Sequence, residues 1–167
     1  LLADIDTDQP RLVGHMARAN PQWRHFANDT EALVIFEGPH AYISPTWYET
    51  KLAVPTWNYV AVHAYGRPTA VEDPDRLLAL VDQTVAHYES GRDNPWQPEL
   101  PDDFRDGLLK AIVGFEIPIS RLEGKFKLGQ NRTETDLAGT LAALRSSPDP
   151  IERQLAEWMA REQSRST

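Results

Sequence analysis

The residues best placed to bind a charged ligand lie in GHMARANPQW, residues 14–23. The apolar residues around Gly14 predict a strand. Asn20 followed by Pro21 predicts a helix start, because asparagine caps helices and proline suits the first helical position. Free N–H groups at a helix N-terminus attract anions, and His15, Arg18 and Asn20 add donors there. The pattern is compatible with a phosphate site, although a plain cap beside a solvated arginine is the commoner use of these residues.

A second group of candidate binding residues is aromatic. Its rings are Trp47, Tyr48, Trp57 and Tyr59, and they could form a stacking wall for a flat ligand. Large aromatic residues serve equally in a core or a dimer interface, and on composition alone packing is their commoner use. The prolines at positions 39, 45 and 55 indicate irregular, edge-type backbone, which suits a pocket rim better than a sheet centre.

The third group lies in EGKFKLGQNR, residues 123–132, at the end of a predicted strand. Its polar members are Lys125, Lys127, Gln130, Asn131 and Arg132. The alternative is a solvated edge, because lysines and other charges protect exposed strand edges from pairing.

Several kinds of site are excluded by what the sequence lacks. Without cysteine the chain has no disulfide, thiolate metal site or cysteine nucleophile, and this composition fits a cytoplasmic protein. The histidine–glutamate metal motifs, the P-loop and the glycine-rich dinucleotide fingerprint are absent, so we predict no metal site. Ser44 lies in I-S-P rather than in the G-x-S-x-G frame of a serine nucleophile.

The overall composition is that of a globular chain with an acidic surface. Its 167 residues are enough for one domain with a core, and no apolar run is long enough to cross a bilayer. The net charge of −8 lacks the basic footprint of a nucleic-acid binder. Direct DNA contact would therefore require a local basic patch or another subunit. The opening LLADID reads as the middle of a strand, so we expect an upstream segment that this sequence lacks.

The predicted elements come in runs rather than in alternation. Strands are predicted for LLADI, RLVGHMA, ALVIFEG (32–38), HAYIS (40–44), NYVAVHAYG (58–66) and VGFEIPISRLEGKFKLGQ (113–130). Helices are predicted for NPQWRHF, DPDRLLALVDQTVAHYE with Asp73 as its cap, DDFRDGLLKAI, and two segments over about 134–161. This order favours an α+β fold, an antiparallel sheet or small barrel with appended helices, over an alternating parallel fold.

Four motifs resemble a single family. GHMARANPQW, IFEGPHAYISPTWYETK, VPTWNYVAVHAYG and RLEGKFKLGQNR occur in this order and are similar to the PaiB family of FMN-binding negative transcriptional regulators. The resemblance runs from about Leu12 to about Arg145. It implies one FMN-binding split β-barrel domain over residues 1–167, similar to pyridoxamine-phosphate oxidases. It also implies a homodimer with flavin sites between subunits, and N-terminal strands that this sequence lacks.

The resemblance also implies roles for particular residues. The residues that match the phosphate-binding part of related barrels are His15, Arg18 and Asn20. Those that match a strand end near cofactor or substrate in the oxidases are Lys127, Gln130 and Arg132, although the oxidases' R-x-x-x-L-K element is absent. The cofactor contacts predicted from the proline-bent aromatic segment are Ser44, Trp47 and Trp57. We expect that segment to form partly dimer interface and partly pocket wall.

The function implied by the family is negative regulation of transcription, of sporulation and extracellular protease genes in its best-known setting. No helix-turn-helix is evident, so regulation through a flavin signal or a partner protein fits the acidic chain as well as direct DNA contact does. The alternative is a flavin-dependent oxidoreductase or haem-handling enzyme on the same barrel, because chemistry depends on the site rather than the fold. The third hypothesis is a dimeric structural protein with an empty pocket.

Overall fold

The computed structural model describes residues 1–5 and 7–165, and within them the chain forms six β-strands and four α-helices. The strands are β1 Leu2–Asp4, β2 Arg11–Ala17, β3 Ala32–Ile43, β4 Thr56–Gly66, β5 Thr69–Val71 and β6 Ile112–Lys127. The helices are α1 Pro74–Glu89, α2 Asp102–Lys110, α3 Glu134–Arg145 and α4 Pro150–Arg165. Two 3-10 helices occupy Pro21–Asn28 and Pro45–Trp47.

The strands form one sheet in the order β1-β2-β6-β4-β3, with β5 also paired to β6. The pairs β1–β2, β2–β6 and β5–β6 are antiparallel. Strand β2 pairs with β6 along its whole length, from Arg11 opposite Pro118 to Ala17 opposite Ile112. The predicted antiparallel sheet with appended helices is confirmed.

The first of two compact units comprises Leu1–Leu33 and Ala64–Arg121. Its buried apolar residues are Leu2, Leu12, Val13, Ala64, Val71, Leu77, Leu80, Val113 and Ile117. Helix α1 begins as predicted, because the Asp73 side chain accepts a hydrogen bond from the Arg76 backbone N–H at 2.9 Å. The helix then turns Leu77 and Leu80 into the core.

The second unit comprises Val34–His63 and Leu122–Thr167. Its core residues are Ala41, Ile43, Val60, Leu128, Leu137, Leu141, Leu144, Leu155, Ala156 and Met159. Helix α3 is capped by Thr133, whose hydroxyl accepts a hydrogen bond from the Asp136 N–H at 3.2 Å. A Cβ at Gly139 would overlap the carbonyl oxygen of Trp47, so glycine lets α3 approach the 3-10 helix Pro45–Trp47 closely.

Three elements differ from the sequence-based expectation. Residues 32–43 form one continuous strand, where two strands were predicted. Pro39 lies inside β3, which is at the edge of the sheet, the position where strands tolerate proline. Strand β5 was not predicted, and α4 continues to Arg165 instead of ending near 161.

Candidate functional site

Arg18 lies directly after β2, at the point where α2 ends. Its backbone N–H donates to the Ala111 carbonyl at 2.8 Å, and its Nε donates to the Lys110 carbonyl at 3.2 Å. Its Nη1 forms an ion pair with Glu72 Oε2 at 2.9 Å, and its guanidinium lies 5.6 Å from the Trp23 ring centroid. These contacts fix the guanidinium and leave Nη2 without a hydrogen-bond partner among the described residues.

Asn20 caps the 3-10 helix Pro21–Asn28, as the sequence predicted. Its Oδ1 accepts a hydrogen bond from the Gln22 N–H at 3.0 Å. Pro21 has no N–H, so the first two helical positions offer no free donor to an anion. A phosphate near this helix start would therefore depend on Arg18 more than on the helix amides. His15, three residues before Arg18, is exposed on β2 opposite Gly114.

Arg18 also lines a cavity of about 410 Å³ in the first unit, a volume typical of small-molecule sites. The apolar lining residues are Pro74, Leu77, Leu78 and Leu109. The charged lining residues are Arg18, Glu72, Asp75, Arg105, Asp106 and Lys110. The cavity therefore combines an apolar wall with three cations and three carboxylates.

Arg105 brings a second guanidinium group to this cavity. Its Nη2 lies 3.0 Å from Asp102 Oδ1 and 3.6 Å from Asp106 Oδ1, both on its own helix. Its Nε is buried and has no hydrogen-bond partner in the described part of the chain. A buried donor without an acceptor costs roughly 1–3 kcal/mol, so this arrangement stabilises Arg105 incompletely.

Two of the predicted aromatic residues, Trp57 and Trp47, differ in exposure. Trp57 is 53 % exposed on β4, and its ring centroid lies 6.1 Å from that of His40 and 6.3 Å from that of Tyr42. Trp47, in contrast, is half-buried against the core of the second unit. Trp57 is therefore open to a ligand or partner, whereas Trp47 also has a packing role.

Ser44 has a local structural role. Its Oγ accepts a hydrogen bond from the Thr46 N–H at 3.2 Å and lies 2.7 Å from Thr46 Oγ1. The residue thereby caps the 3-10 helix Pro45–Trp47.

Two cations at and after the end of β6 are each held by a neighbour. Lys127 Nζ donates to Thr56 Oγ1 at 2.6 Å. The Arg132 guanidinium lies 4.4 Å from the Tyr48 ring centroid, within the range of a cation–π contact. Both cations belong to the second unit, where they border the segment that holds the aromatic residues.

Gln130 stabilises the turn that follows β6. Its Nε2 donates to the Phe126 carbonyl at 2.7 Å, and its Oε1 accepts from the Leu128 N–H at 2.9 Å. Gly129 has a φ of 79° in this turn, a left-handed conformation that favours glycine. The side chain of Gln130 is exposed but already engaged at both ends.

Asp136 is a buried carboxylate that sequence reasoning did not single out. Only 1 % of its surface is exposed. Its Oδ1 accepts from the Glu49 and Thr50 N–H groups at 2.9 and 3.1 Å, and its Oδ2 accepts from the Thr50 hydroxyl at 2.7 Å. Burial by itself raises the pKa of Asp136, but hydrogen bonds from Thr50, Glu49 and Thr133 together hold that pKa below its usual value.

The nine predicted site residues form two sets. The first unit contains His15, Arg18 and Asn20. The second unit contains Ser44, Trp47, Trp57, Lys127, Gln130 and Arg132. The roles predicted for these residues toward a cofactor stay predictions.

Sequence reasoning missed the residues that surround Arg18 in the cavity. They are Glu72, Arg105 and Lys110. A weak signal was present for two of them, because α2 carries its cations in FRDGLLK directly before the strand that pairs with β2. Nothing in the local pattern connected Glu72 with Arg18, which lies 54 positions earlier.

Two negative findings hold for residues 1–5 and 7–165. No cluster of three or more histidine or acidic side chains is arranged to hold a metal ion. None of the helices there combines the length and the apolar character needed to span a membrane.

Two solved structures share the fold. One is the flavocytochrome Anf3 from Azotobacter vinelandii, with a TM-score of 0.51 and 14 % sequence identity. The other is the FAD and heme binding protein from Mycobacterium smegmatis, with a TM-score of 0.54 and 16 % sequence identity. Each match covers 79 % of this chain but only 57 % and 60 % of the respective structures. The likeness supports the predicted split-barrel architecture.

Sequence comparison gives the family. The family model FMN_bind_2, described as "Putative FMN-binding domain", matches residues 1–121. The protease synthase and sporulation protein PAI 2 of Bacillus subtilis (strain 168) is 42 % identical over 154 residues, which cover 91 % of this chain and 73 % of PAI 2. An uncharacterized protein of Aspergillus fumigatus is 34 % identical over 83 % of this chain and 67 % of its own length. The chain belongs to the PaiB family of FMN-binding proteins.

Proposed function

We propose that this chain binds FMN, with Arg18 as the main anchor of the cofactor's phosphate. The observation that carries the proposal is the position of Arg18, which lines an amphipathic cavity together with two further cations, Arg105 and Lys110. Membership of an FMN-binding family supports the identity of the ligand.

The residues present can bind a phosphate if the phosphate replaces the Glu72 carboxylate as the partner of Arg18. Arg18 pairs with Glu72, but the Glu72 side chain is 54 % exposed and that of Arg18 is 36 % exposed. Exposed ion pairs contribute about 0–1 kcal/mol. A phosphomonoester carries about −1.5 to −2 charges at pH 7 and can accept a two-pronged contact, so it competes well with Glu72 for the guanidinium.

The rest of the cavity would serve the uncharged part of the ligand. Leu77, Leu78 and Leu109 form an apolar wall that would keep water from one side of a bound molecule. Bound FMN would supply hydride or single-electron transfer, while this chain supplies binding, orientation and the surrounding charge.

For biological role, we propose negative regulation of transcription through a flavin-dependent signal or a protein partner. The name of PAI 2 associates that relative with protease synthesis and sporulation. The acidic charge of this chain supports an indirect route, since affinity for DNA depends largely on neutralising phosphates.

The proposal is tested by titrating FMN and riboflavin into the wild type, Arg18→Ala and Arg67→Ala. Arg67 is a matched control, because it also forms an exposed ion pair in the first unit, with Asp29 at 3.3 Å, but does not line the cavity. Flavin fluorescence should show FMN binding to the wild type. Arg18→Ala should raise the FMN dissociation constant roughly ten- to a hundredfold, the loss expected for one charged hydrogen-bonding group.

Riboflavin separates the phosphate contact from the ring contacts. It should bind the wild type weakly and be nearly indifferent to Arg18→Ala, because it lacks the phosphate. Equal losses for FMN and riboflavin would assign Arg18 another role. Absence of FMN binding to the wild type would remove the flavin proposal itself.

A further inference from the structure

We infer that Arg105 is a second anion-binding residue of the cavity that Arg18 lines, and that both guanidinium groups receive the acidic group of its ligand. The inference rests on the proposed function for the identity of that ligand as FMN. The anion site itself rests on the contacts of Arg105 and Arg18 and on the charges that line their cavity.

The first argument is the incomplete pairing of Arg105. Its present partners, Asp102 and Asp106, have side chains that are 84 % and 56 % exposed, so both ion pairs are weak. Its buried Nε donates to no acceptor in the described part of the chain. A turn of this side chain toward the cavity exchanges a weak pair for a two-pronged contact that satisfies Nε as well.

The second argument is that hydrogen bonds from Arg18 reach the end of the helix that carries Arg105. The Lys110 carbonyl at the end of α2 accepts from Arg18 Nε, and the Ala111 carbonyl accepts from the Arg18 N–H. The helix that carries Arg105 is thereby tied to the end of β2. Both guanidinium groups line one cavity although 87 positions separate them in sequence.

The third argument concerns the charge of the ligand. Three cations line the cavity, and so do three carboxylates, those of Glu72, Asp75 and Asp106. With the charges balanced, a monoanion gains little by displacing a carboxylate. A phosphomonoester or pyrophosphate carries more charge and can engage both guanidinium groups, so the cavity should select this class of ligand.

Inorganic pyrophosphate is the probe that tests the anion site without FMN. Melting temperatures of the wild type, Arg105→Ala, Arg105→Lys and Arg92→Ala are measured across a pyrophosphate series, with sodium chloride keeping the ionic strength constant. Arg92 is the matched control because it pairs with Glu89 at the same i,i+3 spacing, 3.5 Å away, and does not line this cavity.

Pyrophosphate should raise the melting temperature of the wild type and of Arg92→Ala equally. Arg105→Ala should need a roughly ten- to a hundredfold higher concentration for the same rise. Arg105→Lys keeps the charge but loses the planar guanidinium group. The pyrophosphate concentration that it needs should therefore lie between those of the wild type and Arg105→Ala. If Arg105→Ala is too unstable to study, Arg105→Lys is tested instead. A pyrophosphate response of Arg105→Lys equal to that of the wild type would contradict two-pronged binding.

Titrations of the same variants with FMN separate this inference from the proposed function. A pyrophosphate response that depends on Arg105, without FMN binding, would support the anion site and overturn the flavin proposal. FMN binding that Arg105→Ala weakens while riboflavin binding is unchanged would support both. If Arg105→Ala and Arg92→Ala respond equally to pyrophosphate and bind FMN equally well, the inferred role of Arg105 is wrong. It is also wrong if the wild type binds neither pyrophosphate nor FMN.

Discussion

At the scale of the single residue, Asp136 connects the first turn of α3 with the segment after the 3-10 helix Pro45–Trp47. Its carboxylate accepts three hydrogen bonds from Glu49 and Thr50. Because the pKa of Asp136 is lowered in the folded chain, its contribution to stability is fully present above the ordinary value of 3.8. That contribution is lost as the pH falls through the lower folded-state pKa.

We therefore expect Asp136→Ala to lower the melting temperature at neutral pH by roughly 3–10 °C, since it leaves two backbone donors without their acceptor. Asp136→Asn should cost less, because its amide oxygen can still accept. Thermal unfolding should show that the gap between wild type and Asp136→Asn is constant from about pH 7 to pH 5 and narrows below about pH 4. Asp82→Asn, an exposed carboxylate on α1, is the control. A gap that does not change with pH would contradict the role of the ionised carboxylate.

Local side-chain roles could be predicted from the sequence, whereas long-range partners could not. Asn20 and Asp73 were predicted as caps, because a cap depends only on residue type and the next few positions. The pairing of Arg18 with Glu72, and its shared cavity with Arg105, depend on how β2, β5 and α2 meet. Those contacts follow from the fold and leave no trace in local spacing.

At the scale of elements, the cavity lies between α1 and α2, beside the residue that follows β2. Arg18 closes the end of α2 by donating two hydrogen bonds, to the carbonyl of Lys110, the last residue of the helix, and to that of Ala111, the residue after it. Cations near a helix C-terminus also interact favourably with its dipole. The site thus uses a contact that at the same time stabilises the end of the helix.

Element types were largely predictable because hydrophobic periodicity and turn residues are local signals. The wrong predictions concern elements whose structure depends on their neighbours in the fold. Pro39 was taken as a strand boundary, but an edge position tolerates it. The three residues of β5 are too few to show a pattern, and they form a strand only because β6 offers a partner.

At the scale of the whole molecule, net charge governs association with nucleic acid. The chain carries 25 acidic and 17 basic side chains. Its surface therefore repels a polyanion, and we expect weak or absent direct DNA binding by the isolated chain at physiological salt. A mobility-shift assay over a salt series checks this expectation. Tight, sequence-specific and salt-sensitive binding would contradict it. The chain would then regulate transcription by direct DNA contact instead of the proposed indirect route.

The exposed aromatic surface leads to a prediction about association between copies of the chain. Trp57 is 53 % exposed beside His40 and Tyr42, the latter 45 % exposed, and such apolar clusters usually mark interfaces. We predict a homodimer that buries this cluster, with tryptophan as a main contributor to its affinity.

Sedimentation velocity at micromolar concentration should show a dimer for the wild type. Trp57→Glu should shift it toward monomer, because the substitution would bury a charge in the interface. Trp96→Glu is the matched control, since Trp96 is equally exposed, at 49 %, but lies in the loop after α1. A monomeric wild type would refute the homodimer. A dimer that survives Trp57→Glu would place the interface on another surface, and the aromatic cluster would then be free to contact a ligand instead.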